Sequence, residues 1–268
     1  MESSGTANWD AIGSAMALAL VRVSTMLGLS PLFNTRAFAA RTKAIFSIVL
    51  CALIVPALAA RAGGAAKGPG LSFPALLGEV ALGAVYGLTL SFFGEMLLLA
   101  GQIVGLQFSF SLVNLLDPAS EIQTPLMGDL FQLMGTLVLF AAGLDRVMLA
   151  SILRSFQAIP PGQFALSAVG DAAHLLVPLL SGAFLAALEL AAPVLAATVL
   201  VEIAVALMGK LSPQLPVISL TVPLKTLTGF SVLIGSLAVW PVFLEARFSR
   251  LLDVAERLAA LGLHPGGK

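Results

Sequence analysis

Groups able to carry acid–base or metal chemistry are sparse in this chain, and their spacing keeps them apart. There are two histidines, His174 and His264, and one cysteine, Cys51. No pair of them sits at metal-ligand spacing, and one thiolate cannot build a zinc site. Cys51 lies inside an apolar run and reads as a small core residue. His174, also in an apolar run, reads as a satisfied core histidine rather than a ligand or proton relay. Glu79 and Glu95 share one helical stretch at a spacing of sixteen residues. That is about 160° around a helix axis, so the two carboxylates face opposite ways and cannot act as a pair. Glu189 and Glu202, thirteen residues apart, are separated by about 220° and do not share a face either. They read as polar contacts in an assembly. A phosphate-binding loop, a dinucleotide glycine pattern and a G-x-S-x-G elbow are all absent from the sequence. The expectation is a protein that is not an enzyme, with no metal and no cofactor.

The unusual spacing belongs to small and apolar residues. Gly83, Gly87, Gly94, Gly101 and Gly105 are separated by 4, 7, 7 and 4 residues. On a helix all five fall within about 40° of one another and line a bare groove about 33 Å long. Each glycine costs about 1 kcal/mol against alanine in a helix interior, so something must approach the groove closely. Gly83/Gly87 and Gly101/Gly105 are G-x-x-x-G pairs, the arrangement that lets membrane helices bring backbones together. The expected occupant is a neighbouring subunit. Glu79 lies beside the groove, where an inter-subunit hydrogen bond or a headgroup position would suit it.

After the glycines the pattern changes. Leu106 to Pro118 is apolar and aromatic, yet Ser109, Ser111, Asn114 and Asp117-Pro118 make it a poor helix. Irregular backbone survives at membrane depth only when protein covers it or when it lines a cavity. An apolar, pliant segment containing Phe108, Phe110, Leu112 and Val113 can exclude water and ions by dewetting and still yield to a passing chain.

The elements that must position these residues are helices in an apolar setting. Hydrophobic residues make up 59% of the 268, charged residues 10%, and the mean hydropathy is +1.01. That composition excludes an ordinary soluble domain. The net charge is zero, so no basic field favours nucleic acid. No Lys or Arg precedes Arg22, so the first apolar run lacks the basic region of a cleaved signal and is expected to stay in the mature chain. The loops around the second apolar run are both basic, and charge does not fix an orientation.

Helices are expected over Asn8–Ser30, Ala44–Ala60, Pro74–Gly105, Leu126–Gly143 and Val147–Ala158. Arg22 interrupts the first and must snorkel, pair or sit inside an assembly. Asp129 suits the start of the fourth, where the helix dipole favours a negative charge. Asp145-Arg146 marks a break, and Pro160-Pro161-Gly162 a firm stop. Asp171–Gly209 is the longest stretch, which Pro178 and Pro193 should kink or split. Pro213, Pro216 and Pro223 should break the helical pattern before a last apolar helix, Thr226–Leu244. Hydropathy alone counts about six spans. Residues 1–243 read as one helical membrane domain, and 244–268 as an amphipathic helix and tail. Leu244, Phe248, Leu251, Ala255 and Leu258 form an apolar stripe against Arg247, Arg250, Asp253, Glu256 and Arg257.

Four of these elements carry a resemblance. They are Arg22…Gly28…Pro31-Leu32-Phe33…Arg36; Gly101-Gln102-Ile103-Val104-Gly105-Leu106-Gln107 with the Phe/Ser/Leu run and Asp117-Pro118-Ala119-Ser120; Ser155-Phe156…Pro160-Pro161-Gly162; and Ser212–Gly229 with its Pro-Gln-Leu and Pro-Leu steps. Together they resemble the FliR family, export-gate subunits of flagellar type III secretion with a virulence branch. Members often carry Gly-Gly-His where this chain has Ala142-Gly143-Leu144-Asp145, and many have Asn in place of Pro216. The resemblance implies an all-α membrane protein of long hairpins that assembles with other export-gate membrane subunits in the bacterial inner membrane, at the flagellar basal body. Unfolded protein substrates would pass through the conduit, among membrane lipid. It places Gln107, Phe108, Phe110, Leu112, Val113 and Asn114 in the lumen as a closing loop, while the helical spacing assigns Gly83, Gly87, Gly94, Gly101, Gly105 and Glu79 to subunit packing. The alternatives are a secondary transporter of a small solute, for which no internal repeat is visible, and a structural scaffold of a secretion system.

Overall fold

The computed structural model describes residues 4–30, 40–61, 70–108, 126–164, 168–212, 214 and 217–261. Eight α-helices and no strands occur among them. They are α1 (Ser4–Leu29), α2 (Ala40–Arg61), α3 (Phe73–Gln107), α4 (Leu126–Ala141), α5 (Leu144–Ala158), α6 (Ala168–Leu211), α7 (Val217–Ser236) and α8 (Trp240–Leu261). The all-α membrane architecture read from composition is therefore present. Among the described residues three helices are long and apolar enough to cross a membrane, or up to five spans if each of two bent pairs crosses as one. The two pairs are bent by 74° and 67° at their breaks.

By contacts the chain forms two compact units. The first comprises 1–93, 143–180 and 248–268, and the second 94–142 and 181–247. In the first, α1 packs on α2 and on the early part of α3. In the second, the later part of α3 packs on α4. The glycines of α3 explain both of its pairings. A Cβ at Gly83 would lie 2.6 Å from the Arg22 carbonyl oxygen, and one at Gly87 would lie 2.7 Å from Leu29 Cβ and 3.0 Å from the Met26 oxygen. Both partners advance by four residues together, so α1 and this part of α3 run parallel. A Cβ at Gly101 would lie 2.7 Å from Gly128 Cα and would collide with the Met127 oxygen, and Gly105 faces Met127 Cβ at 3.2 Å. Gly135 of α4 receives the Leu97 side chain in return, its absent Cβ 2.7 Å from Leu97 Cδ2. That pairing is antiparallel. Gly94 is buried. Helices of the same chain, rather than a neighbouring subunit, therefore fill the groove at Gly83, Gly87, Gly101 and Gly105.

Local chemistry sets most helix ends. Ser72 caps α3 by accepting from the Ala75 N–H at 3.3 Å, with Pro74 in the first turn where its missing donor matters little. Asp129 and Asp145 lie in the first turns of α4 and α5. Gly143 separates these helices with φ 71°, a left-handed conformation natural to glycine.

Prolines are less decisive than expected. α6 runs unbroken for 44 residues, through both Pro178 and Pro193, and Pro223 lies inside α7. In apolar surroundings a lost hydrogen bond at one proline costs less than a break that strands several backbone groups. The final helix expected at 226–244 is instead two helices separated at 237–239, because Pro241 fits the first turn of a new helix. In α8 the residues Leu244, Phe248, Ala255 and Leu258 are buried as the stripe predicts, with Leu252 buried in place of Leu251.

Gly101→Ala is expected to destabilise the chain by about 1–3 kcal/mol, since the added methyl meets backbone that cannot yield without shifting the helix. Gly182→Ala, in an exposed helical position with nothing within 4 Å, should be neutral or stabilising by up to about 1 kcal/mol. Unfolding of the detergent-solubilised protein measures both; equal effects would contradict the close α3–α4 approach.

Candidate functional site

Two clusters of charge, one in each unit, stand out from the apolar background. The first is built on Arg22. At Gly83 the α1 backbone comes close enough for the Arg22 side chain to reach Glu79, one helical turn earlier on α3. Arg22 Nε donates to Glu79 Oε2 at 2.6 Å and its Nη2 donates to Oε1 at 3.0 Å. Its Nη1 donates to the Ser155 carbonyl at 3.2 Å and to the Ile159 carbonyl at 3.0 Å. Arg22 and Glu79 are 2% and 0% exposed.

The geometry answers the cost of burying both charges. A bidentate Arg–carboxylate pair is among the stronger charge-assisted contacts. The two carbonyls belong to the last turn and cap of α5; that of Ser155 also accepts the Ile159 N–H at 2.9 Å, and a helix end leaves such carbonyls short of partners. A cation there also meets the negative end of the helix dipole. The Phe156 ring centroid lies 4.3 Å from the guanidinium carbon, within cation–π range. Glu79 gains a third donor from the Pro-Pro-Gly turn. The Gln163 N–H bonds the Pro160 oxygen at 3.3 Å, and Gly162 has φ 81°, as a type II turn requires of its third residue. The Gly162 N–H donates to Glu79 Oε1, 2.7 Å away. Gly78 lets the chain at Phe164 lie close, its absent Cβ 3.0 Å from the Phe164 oxygen.

The second cluster is built on Lys225 of α7, 6% exposed. Its Nζ donates to Gln107 Oε1 at 3.2 Å and also contacts Glu202 Oε1 of α6. Next to Gln107, Phe108 is 3% exposed and stacks on Phe230 with ring centroids 4.8 Å apart. A Cβ at Gly229 would lie 2.7 Å from Phe108 Cζ and would collide with Cε1. Phe131 and Trp240 pack at 5.1 Å elsewhere in this unit.

The structure thus gives the predicted site residues different roles. Glu79 is a partner of Arg22 within the chain rather than an inter-subunit or headgroup contact. Gln107 and Phe108 are anchored on α7, where Phe108 is buried within the chain. Phe110, Leu112, Val113 and Asn114 lie outside the described residues. Glu202 and Glu189 find cations in the chain itself, Lys225 and Arg247. Sequence reasoning missed Lys225, Gly229 and the converging carbonyls of Ser155 and Ile159. Their signal lies in two motifs, Ser-Phe…Pro-x-Gly and Pro-Leu-Lys, but spacing within a motif does not name a partner outside it. Among the described residues no group of three His, Cys, Asp or Glu side chains could hold a metal ion.

Both clusters use residues from the segments that carry the resemblance. The model of the family described as "Bacterial export proteins, family 1" matches residues 14–251. The chain is 26% identical over 238 residues to the flagellar biosynthetic protein FliR of Caulobacter vibrioides, covering 89% of this chain and 94% of that protein. It is 32% identical over 184 residues to FliR of Bacillus subtilis, covering 66% and 71%. It is 25% identical over 238 residues to FliR of Escherichia coli, covering 88% of each.

Removing one partner of the first cluster should cost far more than replacing both. Glu79→Leu leaves the guanidinium buried and unpaired, a loss of about 3–5 kcal/mol, whereas Arg22→Met with Glu79→Leu should recover much of it. A double-mutant cycle on unfolding free energy checks this; additive losses would mean the pair is not coupled.

Proposed function

The chain belongs to the FliR family of bacterial export proteins and is a component of the flagellar type III export gate, in which we propose that it holds closed a conduit for unfolded proteins. The observation that carries this reading is the anchoring of both ends of the apolar segment 109–125. Before it, Gln107 is tied to Lys225 and Phe108 is stacked on Phe230. After it, Met127 is seated against Gly101 and Gly105. Anchors of this kind suit a segment that must be held in place at two points while its middle yields. The closing residues are then Phe110, Leu112 and Val113, with Asn114, and Gln107 and Phe108 form the fixed end. An apolar constriction blocks ions because water leaves it.

The surroundings follow from surplus apolar surface. The apolar window of α6 covers 35 residues, about 52 Å of helix, against a bilayer core of about 30 Å. Phe184, Leu188, Leu200, Ile203, Leu207 and Leu211 are all exposed along it. Lipid cannot cover that whole length, and we assign the remainder to other membrane subunits of the gate. The site of assembly in this reading is the bacterial inner membrane, at the flagellar base. No chemistry on the substrate is needed: the protein's part is to fit, close and give way. A transporter of small solutes and a scaffold without a conduit are not favoured by the family match.

Phe110→Gly is expected to raise the resting ion conductance of the gate complex reconstituted in lipid with its partner subunits. Planar-bilayer recording measures it; an unchanged conductance in a fully assembled complex would remove the closing role from this segment.

A further inference from the structure

We infer, resting on the closure reading, that Lys225 and Gly229 form a two-point catch on α7 that fixes the last turn of α3, and with it the entry to the closing segment.

The catch is visible in the buried stripe of α7. Lys225, Gly229 and Leu233 recur every fourth residue and are all buried. Plain packing would be served by an apolar residue at the first position and a methyl at the second. Instead, the first is a cation, whose burial is costly unless its donors are satisfied. The second is empty. Both departures serve the consecutive residues Gln107 and Phe108 at the end of α3. Lys225 Nζ holds the Gln107 amide oxygen at 3.2 Å. The space above Gly229 holds the Phe108 ring, whose Cζ would lie 2.7 Å from any Cβ there. Phe230 then covers that ring in a stacked contact.

The catch is also built to release. Glu202 pairs with Lys225 but is itself half-exposed. If α3 pulls away, Lys225 exchanges Gln107 for water and keeps its carboxylate, so no charge is stranded. The neutral Gln107 loses one hydrogen bond and can take another from solvent. A Glu–Lys pair in place of Gln107–Lys225 would hold more tightly and part less easily.

Lys225 and Gly229 are therefore positioning residues, and the test reads position as well as conductance. Lys225→Met retains an apolar stem and leaves Glu202 hydrated. Gly229→Ala displaces the Phe108 ring, and Phe108→Leu in the same chain makes room again. In the reconstituted gate, amide hydrogen exchange at residues 105–108 should rise roughly tenfold or more in Lys225→Met, the size expected for losing a hydrogen bond to a charged donor. Gly229→Ala should do the same, and the Gly229→Ala/Phe108→Leu chain should regain protection. Resting ion leak should rise with exchange, toward that of Phe110→Gly. Unchanged exchange in both single variants overturns the catch. Raised exchange without leak, where Phe110→Gly does leak, overturns its link to closure and leaves the closure reading standing. Absence of leak in Phe110→Gly itself overturns the closure reading and the catch's role with it. Where Lys225→Met fails to assemble, the same exchange measurement on the detergent-solubilised chain decides, and protected amides there overturn the catch.

Discussion

Close approach of helix backbones is the constraint from which the rest of this structure follows. Among apolar helices in an apolar solvent, burial of hydrophobic surface offers little preference for one neighbour over another, and contact must come from fit. Glycine supplies it here at Gly83 and Gly87 against α1, and at Gly101 and Gly105 against α4. Each of these positions brings a carbonyl or a Cβ of the partner within the space a methyl would need. The gain is dispersion over many atom pairs, small for each and large together. The same proximity is what lets a short reach of side chain connect Arg22 to Glu79. Without Gly83 the guanidinium and carboxylate would be held apart by the width of a side chain.

The charges in turn deal with irregular backbone. An apolar environment tolerates a helix end only if its free carbonyls and amides find partners. The end of α5 and the Pro-Pro-Gly turn after it meet that requirement through one ion pair. Arg22 covers the Ser155 and Ile159 carbonyls, and Glu79 accepts from the Gly162 amide. At the end of α3 the exchange is different in kind. There a cation, Lys225, holds a side-chain amide, and the ring beside it is seated in a glycine gap. In each unit one polar cluster reaches a place where regular helix stops.

What the sequence made legible was local. The helical periodicity, the aligned glycines, the stop at Pro160-Pro161-Gly162, the acidic first turns and the stripe of α8 depend on residues a few positions apart. What it did not reveal was pairing. Arg22 meets Glu79 across 57 residues and the Ile159 carbonyl across 137, and no spacing rule reaches that far. For the same reason the glycine groove is legible but its occupant is not: a bare face says that something approaches, not from which chain. Phe108 lies in the turn that its aromatic, serine-flanked context suggests, but its burial between Gly229 and the Phe230 ring is again a pairing that no local spacing shows. The prolines of α6 fail as breakers because the rule weighs a lost hydrogen bond against water, which is not the alternative in an apolar setting.

A row of glycines has a weakness that the first ion pair corrects. Gly83 and Gly87 are one turn apart, so α1 could slide by about 5.4 Å along α3 and still find a glycine opposite its backbone. Packing separates those two registers only in part: the slide keeps Gly87 opposite Arg22 but moves Met26 from Gly87 onto Ser91. The carboxylate does not repeat. Glu79 stands one turn before Gly83, whereas the residue one turn before Gly87 is Gly83 itself. With Arg22 slid opposite Gly87, its side chain would face a glycine where it now meets the carboxylate, and the Ser155 and Ile159 carbonyls would lose the guanidinium. Breaking a buried pair in this way costs several kcal/mol, about 3–5 by comparison with removal of one partner. The pair therefore need not add net stability over an apolar substitute to justify its burial. Its effect is to make one register of a repeating groove much better than the next, in an environment where hydrophobicity cannot make that distinction.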